Sequence, residues 1–318
     1  MKKIIFALCL IHCITSSAWS DILANRVYKK IPNILEPTID DYLLIQEYLS
    51  SPHRFYINRL DPWQYRSKAS TFRFVGRDPH ENIEYGIIPV NCDENFKDNC
   101  ILLYASFNFE YPKCLKRLIE IIKQSDFTGH IIYHLGGWPN LDEKSLLFAH
   151  IPYAFKVCCF REAEKLGYKN ALFLDASIVP LGKLMDVFKT IKEEGNYMFT
   201  TDFNMSQMCN PETFRAMDED FSIADQIPAE VVGILGFNFE NHESQLFLQR
   251  WYDVTKNHEE AYFNARPETC VVSIILHQLG MKTTRHMDHY ITWDEVDHTN
   301  SSYQFFVDKK GVQPNWPN

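Results

Sequence analysis

The sequence predicts an α/β protein built on a mainly parallel sheet with helices on both faces, preceded by an irregular N-terminal region. Three observations lead there. From residue 100 onward, short apolar runs alternate with stretches of helical periodicity. Glycines close the helical stretches, at Gly129, Gly167 and Gly195. The apolar runs are continuous rather than alternating, as in strands buried on both faces.

Ile101-Leu102-Leu103-Tyr104-Ala105 is the first such strand. Leu115, Leu118, Ile119 and Ile122 then share one face of a helix that ends before Gly129. His130-Ile131-Ile132-Tyr133-His134 reads as the second strand. Pro152 opens a helix running to Leu166, because proline fits the first helical position. Ala171-Leu172-Phe173-Leu174 is the next strand. A helix with Leu184, Val187, Phe188 and Ile191 on one face follows, and Tyr197-Met198-Phe199-Thr200 is a further strand. Repeated β-α-β units with short loops imply parallel pairing.

Residues 96–300 form the main domain on this reading, with 301–318 as a tail. Residues 21–95 are rich in aromatic, Pro, Asn and Arg residues and lack sustained periodicity, so an irregular region with one helix near 40–50 is expected, packed on the main domain. Residues 1–20 read as a secretory signal: Lys2 and Lys3, then the apolar run Ile4–Ile14, then the small-x-small site Ala18-Trp19-Ser20. The run is shorter than the roughly 20 residues that span a bilayer. Export to the cell exterior, periplasm or secretory lumen follows, with no membrane span after cleavage.

The chain has 318 residues and a formal charge of −9, from 32 Lys+Arg against 41 Asp+Glu. Loss of Lys2 and Lys3 would take this to −11. Such a balance argues against a nucleic-acid partner, and 46% hydrophobic residues argue against disorder. No P-loop, GxGxxG, GxSxG or HExxH pattern is present. Seven cysteines remain beyond the signal, and Cys92 and Cys100, bracketing an acidic loop, are the expected local disulfide pair. Cys114, Cys158 and Cys270 read as small core residues.

Ligands of open α/β sheets bind beyond the carboxyl ends of the strands. Asp175 stands directly after Ala171–Leu174, and Asp202 after Tyr197–Thr201. Each acid taken alone is explained as well by a cap or turn. Their occurrence in consecutive units points to a site. Trp138, in the Gly136-Gly137-Trp138-Pro139 turn, lies on the same rim and fits sugar stacking or core packing.

The segment Phe173-Leu174-Asp175-Ala176-Ser177-Ile178-Val179-Pro180-Leu181-Gly182-Lys183-Leu184 resembles the strand, DxD motif and following helix of GT-A glycosyltransferases, family 8 especially. Phe155-Lys156, Glu162-Ala163 and Gly167-Tyr168 resemble the helix leading into that strand, and Gly233-Ile234-Leu235-Gly236-Phe237-Asn238-Phe239 resembles the acceptor-side strand. The likeness covers roughly residues 100–290. It implies a GT-A-like fold and transfer of a sugar from a nucleotide-sugar donor to an acceptor hydroxyl on a carbohydrate or protein. Mn²⁺ or Mg²⁺ on Asp175 would stabilise the leaving diphosphate, since hard ions prefer oxygen ligands.

Ser177 replaces the motif's second acid and removes one negative charge. Three readings stay open: a metal held by Asp175 with Asp202 or a C-terminal histidine such as His289; a metal-independent site in which Lys156 or Lys183 neutralises the diphosphate; and an inactive scaffold that only binds carbohydrate. Asp175 and Glu268 are the candidate catalytic residues, with Glu268 on the acceptor side at a helix start. Lys156, Asp175, Ser177 and Asp202 are candidates for donor and diphosphate contact, and Gly233 and Gly236 for close approach of the acceptor.

Overall fold

The computed structural model describes residues 84–105, 111–135, 148, 151, 153–262, 264, 266–281, 283, 285–293 and 303–307. The signal segment, the helix expected near 40–50, Pro152 and the Trp138 turn lie outside these residues.

The main sheet has six strands. In chain order they are β1 (Glu84–Val90), β2 (Asn99–Ala105), β3 (Gly129–Leu135), β4 (Asn170–Asp175), β6 (Asn196–Tyr197) and β9 (Ile234–Asn238), arranged β1-β3-β2-β4-β9-β6. Between them lie α1 (Tyr111–Lys123), α2 (Phe155–Lys165) and α3 (Leu184–Glu194). The remaining helices are α4 (Met205–Met208), α5 (Pro211–Ala216), α6 (His242–Asn257) and α7 (Pro267–Gln278). Two small sheets complete the fold: β7 (Thr200–Asn204) with β8 (Pro228–Glu230), and β5 (Ile178–Pro180) with β10 (Ile291–Trp293) and β11 (Phe305–Val307).

The central strand explains the layering. Every residue of β2 is buried, and its side chains alternate between two cores. Cys100, Leu102 and Tyr104 join Val157, Phe160, Trp251 and Val271 from α2, α6 and α7. Ile101, Leu103 and Ala105 join Leu115, Leu118, Val187 and Ile191 from α1 and α3 on the other face. The protein is therefore α/β with helices on both faces of the sheet.

The sheet is mixed, which corrects the expectation of mainly parallel pairing. Only β2–β3 and β2–β4 are parallel; β1–β3, β4–β9 and β6–β9 are antiparallel. A doubly buried strand reads as an apolar run in either direction, so its sequence encodes burial and not polarity. Two boundaries also differ from expectation. Residues 84–90, within the region read as irregular, form the sheet's edge strand β1, and Phe305–Val307 of the supposed tail pairs with β5. The expected strand Tyr197–Thr200 splits, Asn196–Tyr197 entering the main sheet and Thr200–Asn204 turning away to meet β8.

Cys92 and Cys100 are not bonded, contrary to the pairing expected from their spacing. The Cys92 thiol donates to the Gly129 carbonyl at 3.2 Å, while Cys100 is turned into the core of β2. No helix among the described residues is long and apolar enough to cross a membrane.

Candidate active site

Asp175 is the last residue of β4, and the register places it in one row with Tyr104 of β2 and His134 of β3. This row lies at the carboxyl edge shared by the three parallel-running strands. The Asp175 amide donates to the Gly233 carbonyl at 2.8 Å, which fixes the end of β4 against the chain entering β9. Gly233 allows a close approach: a Cβ there would stand 3.0 Å from an Asp175 carboxylate oxygen and displace it slightly.

Lys156 comes to Asp175 from α2, a helix buried on most of its circumference at Lys156, Val157, Cys158, Cys159, Phe160, Glu162 and Ala163. The lysine side chain has 0% exposure, while Asp175 retains 39%. Its Nζ lies 3.2 Å from Asp175 Oδ1 and 3.2 Å from Glu268 Oε1, and donates to the Val232 carbonyl at 2.8 Å. An ammonium has three protons, and these three acceptors take all of them. The Phe173 and Tyr153 rings flank the cation at 5.2 and 5.5 Å. Burial alone would lower the Lys156 pKa, but the Asp175 and Glu268 carboxylates outweigh it and raise the pKa above its ordinary value. Lys156 is therefore a charged internal brace without a proton to offer an external diphosphate.

Glu268 lies in the first turn of α7, after Pro267 at the helix start. It is buried at 7% exposure, and its carboxylate accepts from Lys156. Asp175, Lys156, Glu268 and Gly233 thus converge from β4, α2, α7 and the entry to β9. With two carboxylates around one ammonium, the group carries a net negative charge.

The other expected site residues lie outside this converging group. Ser177 is half-buried in the turn between β4 and β5. Gly236 lies under α3, where a Cβ would stand 2.6 Å from Ile191 Cδ1 and 2.9 Å from Tyr197 Cβ, so its smallness serves helix–sheet packing. Asp202 is exposed on β7 and bonded to His286, whose Nε2 lies 2.9 Å from Asp202 Oδ1. Asp202, His286 and Asp288 hold their ligand atoms within 4.8 Å of one another, a set of two carboxylates and an imidazole suited to a divalent ion. His289 is exposed, its ring centroid 6.1 Å from that of His286; the histidine that meets the carboxylates is thus His286.

Two polar features were not singled out in the sequence. Glu230, on β8, is 5% exposed, and its Oε2 has no hydrogen-bond partner among the described residues. Burial pushes its carboxyl up to about 8, partly offset by a hydrogen bond from Thr283. Its amide donates to Ser273 Oγ of α7 at 3.0 Å, and two residues later the Val232 carbonyl holds Lys156. An acid inside the apolar stretch Ala229–Val232 was the available signal. The second feature is the buried pair of His134 and Glu162, at 2.8 Å, covered by the Tyr85 ring. Glu162 comes from the same helix as Lys156, so α2 makes two polar contacts with the row at the strand ends.

The chain matches no protein-family model and no curated protein.

Proposed function

We propose that the protein transfers a sugar from a nucleotide-sugar donor to an acceptor hydroxyl, on a GT-A-like scaffold, with Asp175 at the reacting end of the donor. The observation that carries this reading is the placement of a partly exposed Asp175 at the carboxyl end of β4, held from behind by the buried Lys156 and Glu268. An open acid on a rigid internal support is a preorganised contact for a polar ligand. The order β3-β2-β4-β9, with β9 antiparallel, supports the resemblance carried by the Phe173–Leu184 segment.

The charge balance favours the metal-assisted variant. Lys156 has spent its protons internally, and Lys156, Asp175 and Glu268 together carry one negative charge, so Lys156 does not serve as the counter-charge of a diphosphate. Asp175 supplies hard oxygen ligands for Mn²⁺ or Mg²⁺, and Ser177 beside it supplies a neutral one. Such an ion neutralises charge on a leaving diphosphate. The exposed Lys183, at the start of α3, is the cation for a metal-independent site. Asp175 contacts the donor, Lys156 and Glu268 position it, and Asp202 with His286 forms a further polar contact on β7. The acceptor is a carbohydrate or protein hydroxyl, reached after export.

Ser177 also favours a second reading, a carbohydrate-binding protein on a scaffold that has lost transfer. A thermal-shift screen of UDP- and GDP-sugars with and without Mn²⁺ separates the two. The transferase reading expects one donor to stabilise the protein more with Mn²⁺ than without, and Asp175→Ala to abolish that shift. Stabilisation by free glycans, with no response to any donor, would sink it in favour of the binding protein.

A further inference from the structure

Cys209 and Cys270 are distant in sequence but meet in space. Cys209 closes α4, its amide donating to the Met205 carbonyl at 2.8 Å, and is half-buried. Cys270 lies in the first half of α7 and is fully buried. The Cys270 sulfur stands 3.6 Å from the Met208 carbonyl, an atom of the peptide that joins Met208 to Cys209. The Cys270 sulfur thus faces the backbone that enters Cys209, close enough for rotamer changes to bring the two side chains together.

We infer that Cys209 and Cys270 are a dithiol that closes to a disulfide by exchange with a small-molecule or protein disulfide. The step balances simply. Cys209, the more accessible thiol, attacks one sulfur of the incoming disulfide as a thiolate and releases the first partner thiol. Cys270 then attacks the Cys209 sulfur of the mixed disulfide and releases the second. Two cysteine sulfurs lose two electrons, the incoming disulfide gains them, and the two cysteine protons end on the two released thiols.

Burial, together with the neighbouring Cys209 thiol, pushes the Cys270 thiol well above its ordinary pKa. Resolution by Cys270 therefore accelerates as pH rises. The bond would tie α4 to α7 across 61 positions of sequence, 209 to 270. Cys270 lies two residues beyond Glu268, so the crosslink would also fix the start of the helix that holds Lys156.

The test equilibrates the full chain in glutathione buffers of increasing oxidised fraction, followed by acid quench, denaturation, maleimide labelling and peptide mapping. The expected result is a Cys209–Cys270 linked peptide, with loss of both labels, and a melting temperature raised by about 5–10 °C in the oxidised form. Cys209→Ser and Cys270→Ala should each remove the linked peptide, while Cys92→Ser and Cys100→Ser should leave it, all four with unchanged circular dichroism. Full labelling of Cys209 and Cys270 in the most oxidising buffer overturns the inference, as does a Cys92–Cys100 peptide in place of theirs.

Discussion

Lys156 and Asp175 meet at 3.2 Å with the lysine wholly excluded from solvent and the aspartate partly open to it. The pair is asymmetric, and that asymmetry decides what each residue does. The aspartate presents a face to ligands; the lysine keeps it in place and balances the buried Glu268. Replacing Lys156 by Met removes the brace but leaves Glu268 desolvated beside an apolar side chain. Breaking a buried ion pair from one side costs about 3–5 kcal/mol, whereas replacing both partners costs much less. Urea unfolding should therefore show Lys156→Met strongly destabilised and Lys156→Met/Glu268→Gln restored by a large part of that loss. A single variant within about 1 kcal/mol of the native protein would mean that Lys156 is not buried as a charge.

Glu230 yields a prediction about pH. Its carboxyl is raised from 4.5 to about 8 in the folded protein, mainly by burial. Between those two values the native state holds a proton that the unfolded chain has lost, so this group's contribution to stability falls as pH rises across that window. Below it the contribution is fully present; above about pH 8 the penalty is complete, on the order of a few kcal/mol. Glu230→Gln keeps the shape without the ionisation. Its melting temperature should match the native protein near pH 5 and exceed it increasingly towards pH 9. A difference that stays constant with pH would assign Glu230 an ordinary carboxyl.

Much of this arrangement was legible before the structure. The helical stripes of α1 and α3 and the runs of β2, β3 and β4 followed from periodicity, because burial of one helix face or of a whole strand imposes those patterns. Asp175 stood out because a charged residue at the end of such a run must lie at a strand terminus. Lys156 did not reveal its burial, since a lysine in the first turn of a helix ordinarily reaches solvent. Its partners lie 19 and 112 positions away, and no local pattern encodes that meeting. The Asp202–His286 contact, across 84 positions, was hidden for the same reason, and the neighbouring His289 was the nearer guess. Strand direction in β9 was equally invisible, because its neighbours are set by the path of residues 200–233 around the edge of the sheet.

Gly236 tests the closeness of α3 to the sheet, and separates a packing role from an acceptor-binding one. A methyl group at this position would stand 2.6 Å from Ile191 Cδ1, 2.8 Å from Ile191 Cγ1 and 2.9 Å from Tyr197 Cβ. The isoleucine end can swing aside, but the Tyr197 Cβ is fixed by the pairing of β6 with β9. Overpacking of this kind costs about 1–3 kcal/mol. Gly236→Ala should therefore lower the unfolding free energy by that amount, and Gly236→Ala/Ile191→Val should recover part of it by removing the Cδ1 methyl. If Gly236 contacts the acceptor instead, the substitution would weaken glycan or acceptor binding while leaving the urea midpoint unchanged. The contact with Ile191 predicts the opposite pattern, with the midpoint shifted and ligand binding by the folded protein preserved.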